Sequence, residues 1–140
     1  MNHFTANSSY LQKLLVVSQH QFKPTVGSPI IDSFDLVYLS VSEAENIVSW
    51  VQQYQPDLII LDLEWSQIAD MQLTATLRLD WLTRNIPIVV LANPKSHQRS
   101  SLTELDYDIC LNKPCSDAKL ERAICTLVAN PACKSCSIAV

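Results

Sequence analysis

Five short apolar runs recur along the 140-residue chain, and none of them alternates with polar residues. Runs of this kind, rich in leucine and β-branched residues, are typical of strands buried on both faces of a parallel sheet. They are Leu14–Val17, Leu36–Val41, Leu58–Leu63, Ile86–Leu91 and Ile109–Leu111. Because segments with helical spacing lie between them, the sequence predicts a doubly wound α/β domain around one five-stranded parallel sheet.

Three connecting segments indicate helices. Ser42-Glu43-Ala44-Glu45 is predicted as a capping box that opens a helix ending near Pro56, with an apolar stripe at Ala44, Ile47, Val48 and Val51. A second helix is expected from about Gln67 to Thr83, and the last from about Asp117 to Ala129. The first crossover contains Pro24, Gly27 and Pro29, so we expect its helix to be short or distorted.

The helix between the third and fourth strands carries two apolar lines. The first comprises Leu73, Leu77 and Trp81, and the second comprises Met71, Ala75, Leu79 and Leu82. One line is expected to face the sheet. The other either packs under a loop, which is the favoured interpretation, or meets a partner.

The composition excludes several classes of function. Gly27 is the only glycine, whereas phosphate loops of the dinucleotide and Walker types need several glycines. A net charge of −4 with ten Lys and Arg residues gives no basic field for nucleic acid. No apolar stretch approaches the roughly 18 residues of a membrane span, and the N-terminus lacks an apolar signal core, so the cytoplasm is the expected compartment.

With Asp62 closing the third strand, this order of strands and helices resembles the response-regulator receiver family, which has a flavodoxin-like fold. The resemblance covers about Lys13 to Val128. It is most specific in Pro56-Asp57-Leu58-Ile59-Ile60-Leu61-Asp62, in Asn85–Leu91 and in Leu111-Asn112-Lys113-Pro114. The expected organisation is therefore a flexible N-terminal segment at residues 1–12, a receiver-like domain at 13–129 and a C-terminal tail at 130–140.

The resemblance also identifies a degenerate phosphorylation pocket. Working members of the family use an acid pair after the first strand, an aspartate after the third, a Ser or Thr after the fourth, a lysine after the fifth and an aromatic switch residue three positions before that lysine. This sequence retains Asp62 at the phosphoacceptor position and Lys113 at the lysine position, but the other positions hold Ser18, Gln19, Ala92 and Cys110.

Magnesium prefers several oxygen anions in an octahedral shell, and Asp62 alone supplies little of that shell. We therefore expect no metal, no other cofactor and no catalytic residue, with Asp62 paired to Lys113 as a structural ion pair. Glu64, two residues further on, is expected to face water rather than to complete a metal site.

Five cysteines need a separate interpretation. Cys133 and Cys136 form a CxxC pair in the C-terminal tail, away from the strand-to-helix turn that thioredoxin-like chemistry uses. A zinc site and a disulfide framework are both not expected, because no second ligand pair and no secretory signal are present. Cys110 and Cys125 are expected to pack as small apolar groups.

Three functional hypotheses remain. The first is a stand-alone pseudo-receiver, not an enzyme, that binds a protein partner such as a histidine kinase or another signalling protein without magnesium-dependent phosphorylation. The second is a response regulator that accepts phosphate at Asp62, and the third is a thiol-responsive switch that uses the CxxC pair. A short polar helix is expected from about Ser96 to Asp106, between the fourth and fifth strands. Partner binding is expected on the fourth and fifth strands and their helices, near Lys95, Arg99 and Lys119. The sequence does not indicate an oligomeric state.

Overall fold

The computed structural model describes residues 12–18, 34–64, 67–68, 71–92, 106–113 and 115–128. Its strands are β1 (Gln12–Ser18), β2 (Phe34–Leu39), β3 (Leu58–Asp62), β4 (Ile88–Ala92) and β5 (Ile109–Asn112). They pair in parallel in the order β2-β1-β3-β4-β5. The first strand thus lies inside the sheet, with β2 on one side of it and β3, β4 and β5 in order on the other, as in a doubly wound fold. The predicted five-stranded parallel sheet is confirmed.

In the described ranges, three α-helices cover the sheet, namely α1 (Ile47–Tyr54), α2 (Leu73–Leu79) and α3 (Asp117–Leu127). Helices α1 and α2 pack on one face, against a cluster that includes Leu15, Ile59 and Val90. Helix α3 packs on the other face, against a cluster that includes Leu14, Ile60 and Val89. Successive strand residues point to opposite faces and both faces are covered, which explains why the apolar runs do not alternate.

The entry to α1 is a capping box, but it lies two residues before the predicted one. The carboxylate of Glu43 accepts from the backbone N–H of Ser40 at 2.9 Å, and the Ser40 hydroxyl lies 3.4 Å from the Glu43 nitrogen. Ser42 makes no side-chain capping bond. A 3-10 turn at Glu43–Asn46 then leads into α1.

Two glutamines adopt a backbone conformation that normally favours glycine. Gln55 ends α1 with φ 55° and ψ 59°, and Gln72 precedes α2 with φ 52° and ψ 39°. At Gln55 the backbone N–H still donates to the Val51 carbonyl at 2.8 Å, which closes the last turn of the helix. These left-handed positions therefore carry a Cβ that crowds the backbone.

Only part of the predicted apolar pattern of α2 is buried. Leu73 and Leu77 lie in the core, as expected for the line that faces the sheet. Trp81 does not join them, because the helix ends at Leu79 and Asp80 is extended. On the second line, Met71 packs against the core, whereas Ala75, Leu79 and Leu82 are exposed. The interpretation that this line is buried is therefore wrong for these three residues.

An arginine on α2 ties the amino-terminal ends of two strands to the helix. The guanidinium of Arg78 donates to the carbonyls of Arg84 and Ile86, each at 2.8 Å, just before β4. It also pairs with Asp106 at 3.3 Å and with Asp108 at 2.8 Å, just before β5. The Asp108 carboxylate in turn accepts from the Ile88 N–H at 2.8 Å. We call this group the Arg78 clamp.

Helix α3 begins as predicted and carries the predicted apolar stripe. The Ser116 hydroxyl caps it by accepting from the Lys119 N–H at 3.2 Å, and Leu120 and Ile124 are buried. Cys125 is buried as expected but is disulfide-bonded, which corrects the expectation of a simple apolar thiol.

Several expectations fall outside the described residues. These are the first crossover, the helix expected near residues 96–106 except for Asp106, most of the N-terminal segment and the C-terminal tail with its CxxC pair. β1 begins at Gln12, one residue inside the segment expected to be flexible. Of the helices described, none has the length and apolar character needed to cross a membrane.

Candidate functional site

Parallel pairing brings the ends of four strands to one edge of the sheet. In the strand register, Ser18 of β1 is opposite Asp62 of β3, and Ala92 of β4 is opposite Asn112 of β5. Lys113 follows β5 directly, and its N–H donates to the Ala92 carbonyl at 2.8 Å. Carboxyl edges of this kind are where open α/β sheets place their binding sites.

Asp62 and Lys113 form an ion pair at this edge. Lys113 Nζ donates to Asp62 Oδ1 at 2.7 Å, and the side chains are 34% and 18% exposed for Lys113 and Asp62 respectively. Ser18 lies on the other side of the carboxylate, where its buried hydroxyl donates to Asp62 Oδ2 at 3.4 Å. One carboxylate oxygen thus accepts a short charge-assisted hydrogen bond and the other a long, weak one.

The end of β4 offers no hydroxyl group. Ala92 is fully buried, and its side chain packs into the core on the α1 and α2 face. A methyl group cannot donate a hydrogen bond to an anion at this edge. The structure therefore places apolar surface where the family resemblance implies a Ser or Thr.

Cys110 lies within β5, where the resemblance implies an aromatic switch residue. It is half-buried, it is a free thiol and it packs against the same core face as Ala92. Burial raises the pKa of the Cys110 thiol, so the neutral form that packs as an apolar group is favoured. Burial likewise raises the pKa of Cys115, the other free thiol of the described chain.

The donor set at this edge does not fit a magnesium ion. Across the described ranges, no three His, Cys, Asp or Glu side chains come together as a group that could hold a metal. Of the two positions that the resemblance gives to acids, Ser18 is a neutral hydroxyl in contact with Asp62, and Gln19 lies outside the described residues. Magnesium needs an octahedral shell of oxygen ligands, whereas Asp62 Oδ1 is already occupied by the Lys113 ammonium.

Glu64 does not complete such a site. Its backbone N–H donates to the Gln67 side chain at 3.1 Å, and its carbonyl accepts from the Ile68 N–H at 3.1 Å. These bonds use the backbone N–H and carbonyl groups of Glu64, whose side chain is half-buried. Among the described residues, the Glu64 carboxylate belongs to no group of three or more potential metal ligands.

The Ser18–Asp62 hydrogen bond was not anticipated from the sequence. The sequence indicates it only through position, because Ser18 and Asp62 are the last residues of two central strands and are opposite each other in the strand register. The sequence identified Ser18 only as a lost acid. In the structure its hydroxyl is a second partner for the phosphoacceptor-position carboxylate.

Comparison with protein-family models gives a match to the response regulator receiver domain over residues 14–125. Solved structures agree in fold. A CheY-like receiver domain from Methylobacillus flagellatus is 19% identical, with a TM-score of 0.62 over 84% of this chain and 99% of that one. The receiver domain of a signal transduction histidine kinase from Syntrophus aciditrophicus is 21% identical, with a TM-score of 0.61 over 83% of this chain and 89% of that one.

A third similar structure was solved with a metal. It is the receiver domain of a sensor histidine kinase from Pseudomonas aeruginosa PAO1, which has a magnesium ion coordinated in its active site cleft. It is 19% identical, with a TM-score of 0.61 over 85% of this chain and 98% of that one. Comparison with curated proteins gives no match. Since the family model covers most of the sequence and the sheet order agrees, the chain belongs to the response regulator receiver domain family.

Proposed function

We propose that this chain is a pseudo-receiver that works by protein–protein interaction and has no catalytic activity of its own. Receiver domains act in two-component signalling, where they interact with histidine kinases and other signalling proteins. The observation that carries the finer proposal is the state of Asp62, whose two oxygens already contact Lys113 and Ser18. We also propose a cytoplasmic setting and a receiver-like domain over about residues 13–129, with β1 beginning one residue earlier, at Gln12.

Phosphoryl transfer needs positive charge near the oxygens of the transferring group. Among the pocket residues that the structure describes, the cation is Lys113, and its ammonium group is paired with Asp62 itself. Without a metal shell, nothing else among the described pocket residues would offset the charge that develops on the phosphoryl group. The pocket therefore favours a permanently unphosphorylated state.

The groups that would respond to phosphate also differ. Ala92 has no hydroxyl with which to bind a phosphoryl oxygen, and Cys110 has no ring that could rotate inward or outward. A domain without this switch presents one surface to its partner. Its affinity then depends on surface complementarity alone.

Phosphorylation at Asp62 is the second candidate function. It is favoured by the retained Asp62–Lys113 pair and by the long 3.4 Å bond at Oδ2, which leaves that oxygen weakly held. A thiol switch stays a hypothesis from the sequence, since Cys133 and Cys136 lie outside the described residues.

Magnesium and beryllofluoride titrations separate the first two functions. We expect no magnesium site of millimolar or tighter affinity by calorimetry, and no beryllofluoride-dependent shifts in NMR spectra of the full chain. A Ser18→Asp, Gln19→Asp double variant, which restores the acid pair, is the positive control and should gain magnesium binding. A magnesium site in the wild-type chain that disappears in Asp62→Asn would contradict the proposal.

The proposed partner surface is the one formed by β4, β5 and their helices. Lys119 is exposed on α3, whereas Lys95 and Arg99 lie outside the described residues. Charge reversal at all three should reduce capture of a partner from native lysate while leaving the melting temperature nearly unchanged. Unchanged capture by all three variants would place the interface elsewhere.

A further inference from the structure

The end of α2 and the turn that follows it hold three large apolar side chains in solvent. Leu79 is 86% exposed, Trp81 is 73% exposed and Leu82 is 44% exposed. We call these three residues the α2 patch. Contiguous exposed apolar side chains commonly mark interaction sites, and tryptophan is among the residues most enriched at the energetic centre of interfaces.

The patch stands on a turn that is fixed by hydrogen bonds. Buried Thr83 donates its hydroxyl to the Leu77 carbonyl, which joins the turn to the helix. The Asp80 carboxylate accepts from Gln52 Nε2 of α1 at 3.0 Å and from the Leu82 N–H at 3.0 Å. The exposure of the patch is therefore built into the turn and is not a result of fraying at the helix end.

The Arg78 clamp fixes the other end of the same turn. Its guanidinium donates to the carbonyls of Arg84 and Ile86, each at 2.8 Å. A surface held in this way loses little conformational freedom when it binds, so more of its contact energy appears as affinity.

The charges that flank the patch are of opposite sign. Asp80 lies between Leu79 and Trp81, and Arg84 follows at the end of the turn, where the Arg84 N–H donates to the Asp80 carbonyl at 2.9 Å. In the part of the chain that the structure describes, neither side-chain charge has an ion-pair partner. A two-fold axis near Trp81 would bring Arg84 of one molecule towards Asp80 of the other while joining the two apolar surfaces.

We propose that the α2 patch is a self-association surface whose occupant is a second copy of this chain. Its apolar centre and paired opposite charges make it complementary to itself. The three side chains supply roughly half of the ~800 Å² per partner of a standard interface, so the dimer is weak and reversible. The patch lies at the amino-terminal edge of the sheet, away from Asp62, so the proposal does not rest on the state of the phosphorylation pocket.

Sedimentation velocity of the full chain over about 5 µM to about 1 mM tests this proposal. The weight-average sedimentation coefficient of the wild-type chain should rise with concentration. Leu79→Asp and Trp81→Ser should each weaken dimerisation at least about tenfold. Arg84→Glu should weaken it less, because it changes a charge at the edge of the α2 patch and leaves the apolar side chains in place.

The matched controls are Ala118→Asp and Arg122→Glu, both exposed on α3 at the opposite face of the sheet. They should dimerise like the wild-type chain, and all variants should keep the wild-type circular dichroism spectrum. A wild-type chain that stays monomeric at the highest concentration would overturn the proposal, even if another protein is found to bind Trp81. Equal loss of dimerisation in Leu79→Asp and Ala118→Asp would overturn it as well.

Discussion

Lys113 Nζ lies 2.7 Å from Asp62 Oδ1, and this contact joins two strands that are not neighbours in the sheet. β4 lies between β3 and β5, so the pair spans the end of the intervening strand. Below it, the Lys113 N–H donates to the Ala92 carbonyl at 2.8 Å. The residues that the family uses for phosphate chemistry here connect three strand ends.

Replacing the lysine of this pair should destabilise the fold. Lys113→Met leaves the Asp62 carboxylate without its cation in a mostly buried position, and we expect a loss of about 1–2 kcal/mol in the free energy of unfolding near neutral pH. Partial exposure of both side chains keeps the loss below that of a fully buried pair. Urea denaturation followed by circular dichroism would measure it.

The control for this prediction is Lys119→Met, which removes an exposed lysine from α3. Destabilisation by Lys113→Met no greater than in this control would mean that Asp62 and Lys113 do not stabilise each other.

Breaking the Arg78 clamp should lower the free energy of unfolding more than Lys113→Met does. Arg78→Met removes the donors for two backbone carbonyls and the cation for Asp106 and Asp108, and we expect a loss of about 2–4 kcal/mol in the free energy of unfolding. Arg78→Lys should recover only part of it, since an ammonium cannot reproduce the planar fork of donors. Arg122→Met on α3 is the exposed control, and destabilisation no greater than in this control would argue against a clamp.

The observed capping box can be told apart from the predicted one. Glu43→Ala should lower the melting temperature, whereas Glu45→Ala should leave it nearly unchanged. The Ser40 backbone N–H, with help from the Ser40 hydroxyl, lowers the pKa of Glu43. A lowered folded-state pKa stabilises the fold above the unfolded-state pKa, and this stabilisation is lost as the pH falls through the folded-state value. The difference between the two variants should therefore fade in acid, and a larger effect from Glu45→Ala would favour the box at Ser42.

Tyr54 should lose its proton at a higher pH than an ordinary tyrosine. Burial, followed by the nearby charge of Asp35, raises the pKa of Tyr54 to about 12, and its hydroxyl donates to the Asp35 carbonyl at 2.7 Å. The folded state thus keeps a proton that the unfolded chain releases near pH 10, so stability should fall between about pH 10 and about pH 12. Spectrophotometric titration should show a phenolate transition at about pH 12 that is missing in Tyr54→Phe. Its persistence in that variant would assign it to another tyrosine.

The inner strands β1, β3 and β4 were predictable because burial on both faces leaves a clear apolar run at each of them. The capping box before α1 was less predictable, because the pattern Ser-x-x-Glu occurs twice in overlapping positions, at Ser40–Glu43 and at Ser42–Glu45. β2 ends at Leu39, so Ser40 is the first residue off the strand and its side chain and N–H meet Glu43. That choice depends on where the strand stops, which the local pattern does not determine.

The site was partly predictable for a similar reason. Asp62 and Lys113 each follow an apolar run, so the carboxyl edge of a parallel sheet brings them near each other. The contact with Ser18 depends on the register between β1 and β3. The ion pairs of the Arg78 clamp join Arg78 to aspartates 28 and 30 residues further along the chain, and no local pattern indicates these pairs.

Gln55 is a position at which a substitution should raise the stability of the fold. Its left-handed conformation at the end of α1 places a Cβ where the backbone favours none, and the chain has only one glycine with which to meet such needs. Left-handed residues with a side chain cost about 1–2 kcal/mol, partly offset because glycine loses more freedom on folding. A Gln55→Gly variant should thus have a larger free energy of unfolding than the wild-type chain. It would serve as a stabilised parent in which the pocket, the Arg78 clamp and the α2 patch can be altered without unfolding the domain.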